Sequence, residues 1–126
     1  MKLKDNFFLV KSFSKTETGL EYTIELNPEH FVYQAHFPEN PITPGVCIIQ
    51  IIKELTIETL NRNLFLKKIH NVKFLYVINP LENKEVVCSI SLISEDDSTH
   101  KVSAVVNHGD QLFAKLSLLF INQKYH

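Results

Sequence analysis

Only one stretch of this chain reads as a long helix, and its residues are poor at standing alone. From Val46 to about Asn61 the apolar residues recur at helical spacing: Ile48, Ile51, Ile52 and Leu55 form a stripe, which Ile49 and Val46 widen. Lys53, Thr56, Glu58 and Thr59 lie largely elsewhere around the axis. Seven residues from Val46 to Ile57 are β-branched (Val46, Ile48, Ile49, Ile51, Ile52, Thr56 and Ile57), so intrinsic helix propensity is mediocre. A helix of this composition needs packing on nearly all sides, and the rest of the chain offers mainly strands to supply it.

Phe7 to Phe13 reads as a strand, followed by a polar turn from Ser14 to Gly19. Leu20 to Leu26 alternates with period two, placing Leu20, Tyr22, Ile24 and Leu26 on one face and Glu21, Thr23 and Glu25 on the other. A short helical turn is expected at Pro28–Phe31. Beyond the helix come four strand-like runs: Ile69 to Ile78, Glu85 to Ile93, Lys101 to Asn107, and Gln111 to Asn122. Turn signals separate the later ones at Glu95–Ser98 and His108–Asp110. The order is two strands, a buried helix, then four strands joined by tight turns. It predicts a single α+β domain over residues 1–126, with one long, curved antiparallel sheet wrapped around a central helix.

Bulk properties narrow the function. A length of 126 residues fits one domain able to build its own core, with 44% apolar and 21% charged residues. Net charge is −1 and the lysines are scattered, which argues against nucleic acid as a partner. Cys47 and Cys88 sit in apolar segments and read as buried thiols. His30, His70, His100, His108 and His126 show no metal-ligand spacing, so no metal or cofactor is expected. No leader is visible in Met1–Asn6 and no apolar run is long enough to span a bilayer, so the expected setting is the cytoplasm, away from membranes.

The unusual segment is His36-Phe37-Pro38-Glu39-Asn40-Pro41-Ile42-Thr43-Pro44-Gly45. Each proline removes a backbone donor and disfavours the α region for the residue before it. The segment is therefore a stiff loop. It is expected to end in a helix start, with Thr43 as N-cap and Pro44 in the first helical position.

This segment resembles the signature loop of the 3-hydroxyacyl-acyl-carrier-protein dehydratases of the FabA/FabZ type, a hot-dog-fold family whose loop reads His-Phe-Pro-Gly-x-Pro-x-Met-Pro-Gly. The spacing is the same throughout. His36, Phe37, Pro38, Pro41, Pro44 and Gly45 are identical, while Glu39 and Thr43 replace a glycine and the methionine, and Ala35 replaces the glycine before the histidine. The likeness extends through Phe31–Ala35, Ile69–Phe74 and Gln111–Phe120, from Asn6 to about Asn122. It implies His36 as the base that takes the C2 proton. It also implies the Gly45 amide as donor to the thioester oxygen, with Phe37, Pro44 and Val46 against the substrate. Chemistry points the same way: a histidine suits proton transfer near neutral pH, and a helix N-terminus offers unpaired N–H groups and a positive dipole end.

One departure matters more than the others. The family carries a Glu or Asp five residues after the Pro-Gly glycine, and this chain has Gln50 there. An amide can hydrogen-bond a hydroxyl but cannot deliver a proton to it. Glu54, one turn further along the helix where the family often has Gln, is the substitute acid to consider, or else a carboxylate paired with Lys53, Arg62 or a partner chain. The resemblance also implies a site built at a dimer interface. Ile49, Ile52, Phe74 and Tyr76 are the apolar excess that a second copy would cover, and Lys67, Lys68, Lys73 and Lys84 are candidates for a rim facing an acidic carrier. Three readings follow: a dehydratase of acyl-carrier or acyl-CoA thioesters, a half-site or non-catalytic subunit that pairs with a homologue, and an acyl-thioesterase.

Overall fold

The computed structural model of the chain describes residues 2–35 and 39–123. Strands β1 (Phe8–Lys15) and β2 (Gly19–Leu26) precede a short helix α1 (Phe31–Ala35) and the long helix α2 (Gly45–Leu60). Strands β3 (Leu64–Phe74), β4 (Glu85–Glu95), β5 (Thr99–His108) and β6 (Gln111–Asn122) follow. All six strands form one antiparallel sheet in the order β1-β2-β4-β5-β6-β3.

The alternation in the sequence becomes the two faces of this sheet. Tyr22, Ile24 and Leu26 on β2 face inward, joined by Val86, Cys88 and Ile90 on β4, Val102, Ala104 and Val106 on β5, and Leu116, Leu118 and Phe120 on β6. Against this face lies α2, burying Ile48, Ile51, Ile52 and Leu55 as the spacing predicts, together with Cys47 and Thr56. Burying each of the larger side chains is worth about 1.5–3 kcal/mol, which overcomes the weak propensity of this β-branched helix. At its far end Asn61 closes α2 in the left-handed conformation, φ 50°, one that asparagine tolerates. The result is the expected α+β hot-dog arrangement.

Several details differ from expectation. The helical turn forecast at Pro28–Phe31 gives way to a turn followed by α1 from Phe31. Strand β3 starts at Leu64 and stops at Phe74, earlier at both ends than the apolar run suggests, because its pairing with β6 runs from Leu64 opposite Asn122 to Phe74 opposite Ala114. It is not a hairpin neighbour of β4; it lies at the far edge, beyond β6. Pro44, not Thr43, is the N-cap of α2, at φ −63° and ψ 144° and without a side-chain cap bond. Val46 does not join the buried stripe: it is 69% exposed. Ile52, expected among the residues left for a partner, is fully buried under the sheet.

Candidate active site

The candidate base His36, with Phe37 and Pro38, lies outside the described residues. What the structure describes is the frame on either side of them. Upstream, Tyr33 of α1 is fully buried, stacked on Phe7 with ring centroids 4.9 Å apart. Its hydroxyl lies 2.7 Å from that of Thr43, and burial pushes its pKa well above the ordinary tyrosine value. Downstream, the Thr43 N–H donates to the Ile78 carbonyl at 2.9 Å, and Asn79 Nδ2 donates to Asn40 Oδ1 at 3.1 Å. The two limbs of the proline loop are thus tied to each other and to the chain after β3. Local sequence reasoning missed this anchor; the one signal was a hydroxyl-bearing aromatic in the lead-in Phe31–Ala35.

The loop delivers the chain into the first turn of α2. The Cys47 and Ile48 N–H groups both bond the Pro44 carbonyl, at 3.0 and 3.2 Å. Among the described residues, the N–H groups of Gly45 and Val46 have no such partner, and no acidic side chain lies in the first turn to neutralise the positive end. This end of the helix opens on an apolar cleft of about 320 Å3, walled by Ile42, Pro44, Gly45 and Ile48 on one side and Phe74–Ile78 on the other. A Cβ on Gly45 would meet two ring carbons of Phe74 at 2.8 Å, so the glycine is what lets the ring lie against the helix start. Such a cleft suits an acyl chain and an amide donor suits a thioester oxygen. A larger hollow of about 520 Å3, bordered by Asp5, Glu25, Glu29 and Lys84, shares no residue with it.

Gln50 and Glu54 are brought together, but not in this cleft. They lie one turn apart on α2, and Gln50 Nε2 donates to Glu54 Oε2 at 2.9 Å. The same carboxylate accepts two backbone N–H groups from the N-terminal segment, Leu3 to Oε2 and Lys4 to Oε1, both at 2.8 Å. Neither Lys53 nor Arg62 accounts for these contacts. Of the lysines considered for a rim, Lys67, Lys68 and Lys73 are exposed along β3. Lys84 lies 3.5 Å from Glu25, and the lysines nearby draw that carboxyl below its ordinary range, Lys11 most of all. Among the described residues no group of His, Cys, Asp or Glu side chains converges as a metal site, and no helix is long and apolar enough to cross a membrane.

An open helix N-terminus beneath a six-stranded antiparallel sheet defines the class: a protein of the hot-dog fold. Residues 12–115 match the family model of ApeI-like proteins, described as ApeI dehydratase. The chain belongs to that family. A 3-hydroxyacyl-acyl-carrier-protein dehydratase FabZ of Caulobacter vibrioides is 28% identical over 93 residues, 66% of this chain and 57% of that protein. The match therefore spans little more than half of that relative. Among solved structures, the dehydratase heterocomplex ApeI:P from Xenorhabdus doucetiae superposes with a TM-score of 0.72 at 17% identity, covering 90% of this chain and 97% of that one. A hypothetical thioesterase with coenzyme A from Streptococcus pneumoniae gives 0.66 at 6% identity, over 90% and 84% of the two chains. These structural likenesses establish the shared fold.

Proposed function

We propose that the chain is a 3-hydroxyacyl-thioester dehydratase of the cytoplasm, acting on acyl carrier protein or coenzyme A thioesters as a dimer. The observation that carries this reading is the first turn of α2, where, among the described residues, the N–H groups of Gly45 and Val46 are unpaired and Gly45 borders an apolar cleft. The acyl chain occupies the cleft between Pro44 and Phe74, with its thioester oxygen at the Gly45 N–H. Those donors stabilise the negative charge that develops there as His36 removes the C2 proton. Gln50 lies outside the cleft of its own chain, so it would reach the 3-hydroxyl of a substrate held by the other subunit of the dimer, where it hydrogen-bonds that hydroxyl but brings no proton of its own. The proton taken up by His36 is the one available to leave with that hydroxyl as water, which balances the elimination. Phe37 packs against the substrate beside the base, and the exposed Val46 side chain on the first turn of α2 offers it a further apolar contact.

A second reading is favoured by the amide at position 50. The chain would contribute His36 and the cleft to a half-site completed by a homologue that carries the missing acid. The ApeI:P relative is itself described as a dehydratase heterocomplex.

Mass spectrometry of 3-hydroxyacyl carrier protein incubated with the purified chain tests both. Loss of one water by the wild type, abolished in His36→Ala, supports the dehydratase. In Gln50→Glu the new carboxyl would lie against the Glu54 carboxylate, and like charges at that range raise a carboxyl pKa, leaving a proton to donate. Turnover should rise by about tenfold or more. No turnover by either form alone, with activity restored by a homologue, would favour the half-site. Release of free thiol would replace both with a thioesterase.

A further inference from the structure

We propose that Glu54 is a positioning residue: its carboxylate, pinned by the backbone of the N-terminal segment, fixes the Gln50 amide in one of its two flips. The proposal rests on reading Gln50 as part of the dehydratase site. A glutamine amide has an acceptor at one end and a donor at the other, and half a turn exchanges them. A carboxylate only accepts. The 2.9 Å contact with Glu54 therefore places Nε2 toward Glu54 and turns Oε1 away from it.

The holder is itself held. Consecutive N–H groups of Leu3 and Lys4 occupy the two carboxylate oxygens at 2.8 Å each. Leu3 is buried in the core, and its carbonyl accepts the Phe7 N–H at 2.8 Å. Phe7 in turn stacks on Tyr33, the residue that anchors the proline loop. Lys4 Nζ adds an ion pair to Glu58 at 2.9 Å, one turn beyond Glu54. One continuous chain of contacts thus runs from the N-terminal segment to Gln50 along α2, and to the loop through Phe7. A catalytic amide free to flip would present the wrong end to a substrate hydroxyl part of the time; this one is not free to do so.

Side-chain amide resonances of the 15N-labelled protein test the proposal without any need for turnover. The Gln50 pair is identified by its disappearance in Gln50→Glu. It should shift in Glu54→Ala, which removes the carboxylate that its Nε2 donates to. It should stay in place in Lys4→Ala, which removes the Glu58 ion pair but neither backbone donor. If Glu54→Ala does not fold, Glu54→Asp, one methylene shorter, provides the same comparison. In turnover assays kcat should fall about tenfold in Glu54→Ala with KM little changed. Glu54→Ala combined with Gln50→Ala should be no slower than Gln50→Ala alone, since one residue acts through the other. Unmoved Gln50 resonances in Glu54→Ala, or additive losses in the double variant, would overturn the proposal. Absence of turnover in both the wild type and Gln50→Glu would instead remove the stand-alone dehydratase reading and leave the resonances to decide this one.

Discussion

Thr43 and Thr56 carry the same hydroxyl into the same interior with opposite consequences. The Thr43 hydroxyl lies 2.7 Å from that of Tyr33, whereas Thr56 Oγ1 is buried without a hydrogen-bond partner. A buried hydroxyl that lost its water and gained nothing is destabilising, so Thr56→Val should raise the urea unfolding midpoint, by roughly 1 kcal/mol of stability. Tyr33→Phe should lower it by about 1–3 kcal/mol, because it orphans the Thr43 oxygen. Neither contrast was legible in the sequence. Thr43 precedes Pro44-Gly45 and looks like a cap; what claims it is a tyrosine ten positions earlier. Helical spacing did place Gln50 and Glu54 within reach of each other. It could not reveal that Leu3 and Lys4, 51 and 50 positions from Glu54, supply the carboxylate's other donors. That arrangement gives a physical reason for the exchange of residue types against the resembled family: two backbone donors meet position 54, and an acceptor-only group serves both.

Elements were legible where one face is buried and the pattern is long. Strand β2 and helix α2 follow their spacing, because a slipped register would turn their apolar residues to water. The start of β3 was not, since Leu64-Phe65-Leu66 follows the helix end too closely to show alternation. Gly19 was read as the last residue of a turn but opens β2 opposite Ser91, where an added Cβ would run into the Ile90 carbonyl oxygen. The β2–β4 ladder carries part of the alkaline pH dependence, beside the buried Cys47 and Tyr33, whose pKa values burial also raises. Tyr22 and Cys88 are direct cross-strand partners on the inner face. Burial raises both, Tyr22 above its ordinary 10.0 and Cys88 from 9.0 up to about 12. Each stays neutral in the fold at a pH where the unfolded chain would ionise it. The unfolded state then binds fewer protons, and stability falls as pH rises. That contribution is intact below about pH 9 and is lost progressively through the Cys88 window up to about 12. Urea midpoints should therefore decline from pH 8 to 10 by this linkage, and the decline should be shallower in Cys88→Val. A slope identical in that variant would place the alkaline sensitivity elsewhere.

At the scale of the molecule, the site and the unfinished edge of the sheet are one surface. Among the described residues no strand of the sheet lies beyond β3, and from Leu66 to Phe74 its outer edge runs about 30 Å at some 3.4 Å per residue. An edge of that length is rarely left open to solvent. Ile69 and Phe74 sit opposite the inward-facing Leu118 and Ala114, so they belong to the same face as α2. They are nevertheless 45% and 49% exposed, and Tyr76 and Val77 beyond them 60% and 66%. Phe74–Ile78 also borders the cleft at Gly45. Composition suggested an apolar excess including Phe74 and Tyr76, but the strand order was needed to gather it along one edge. A second copy paired along β3 would bury this strip and close the open side of the cleft, so assembly and activity should fail together. Ile69→Lys places a charge in the middle of that strip while leaving the α2 core untouched. Sedimentation should find the wild type dimeric at micromolar concentration and the variant monomeric. Far-UV circular dichroism should not distinguish them, and dehydration should fall by at least about tenfold because the cleft is no longer closed to water. A variant that remains dimeric would put the interface elsewhere. A monomeric variant with full activity would show that one chain closes the cleft alone, and would remove the reason for placing the site between subunits.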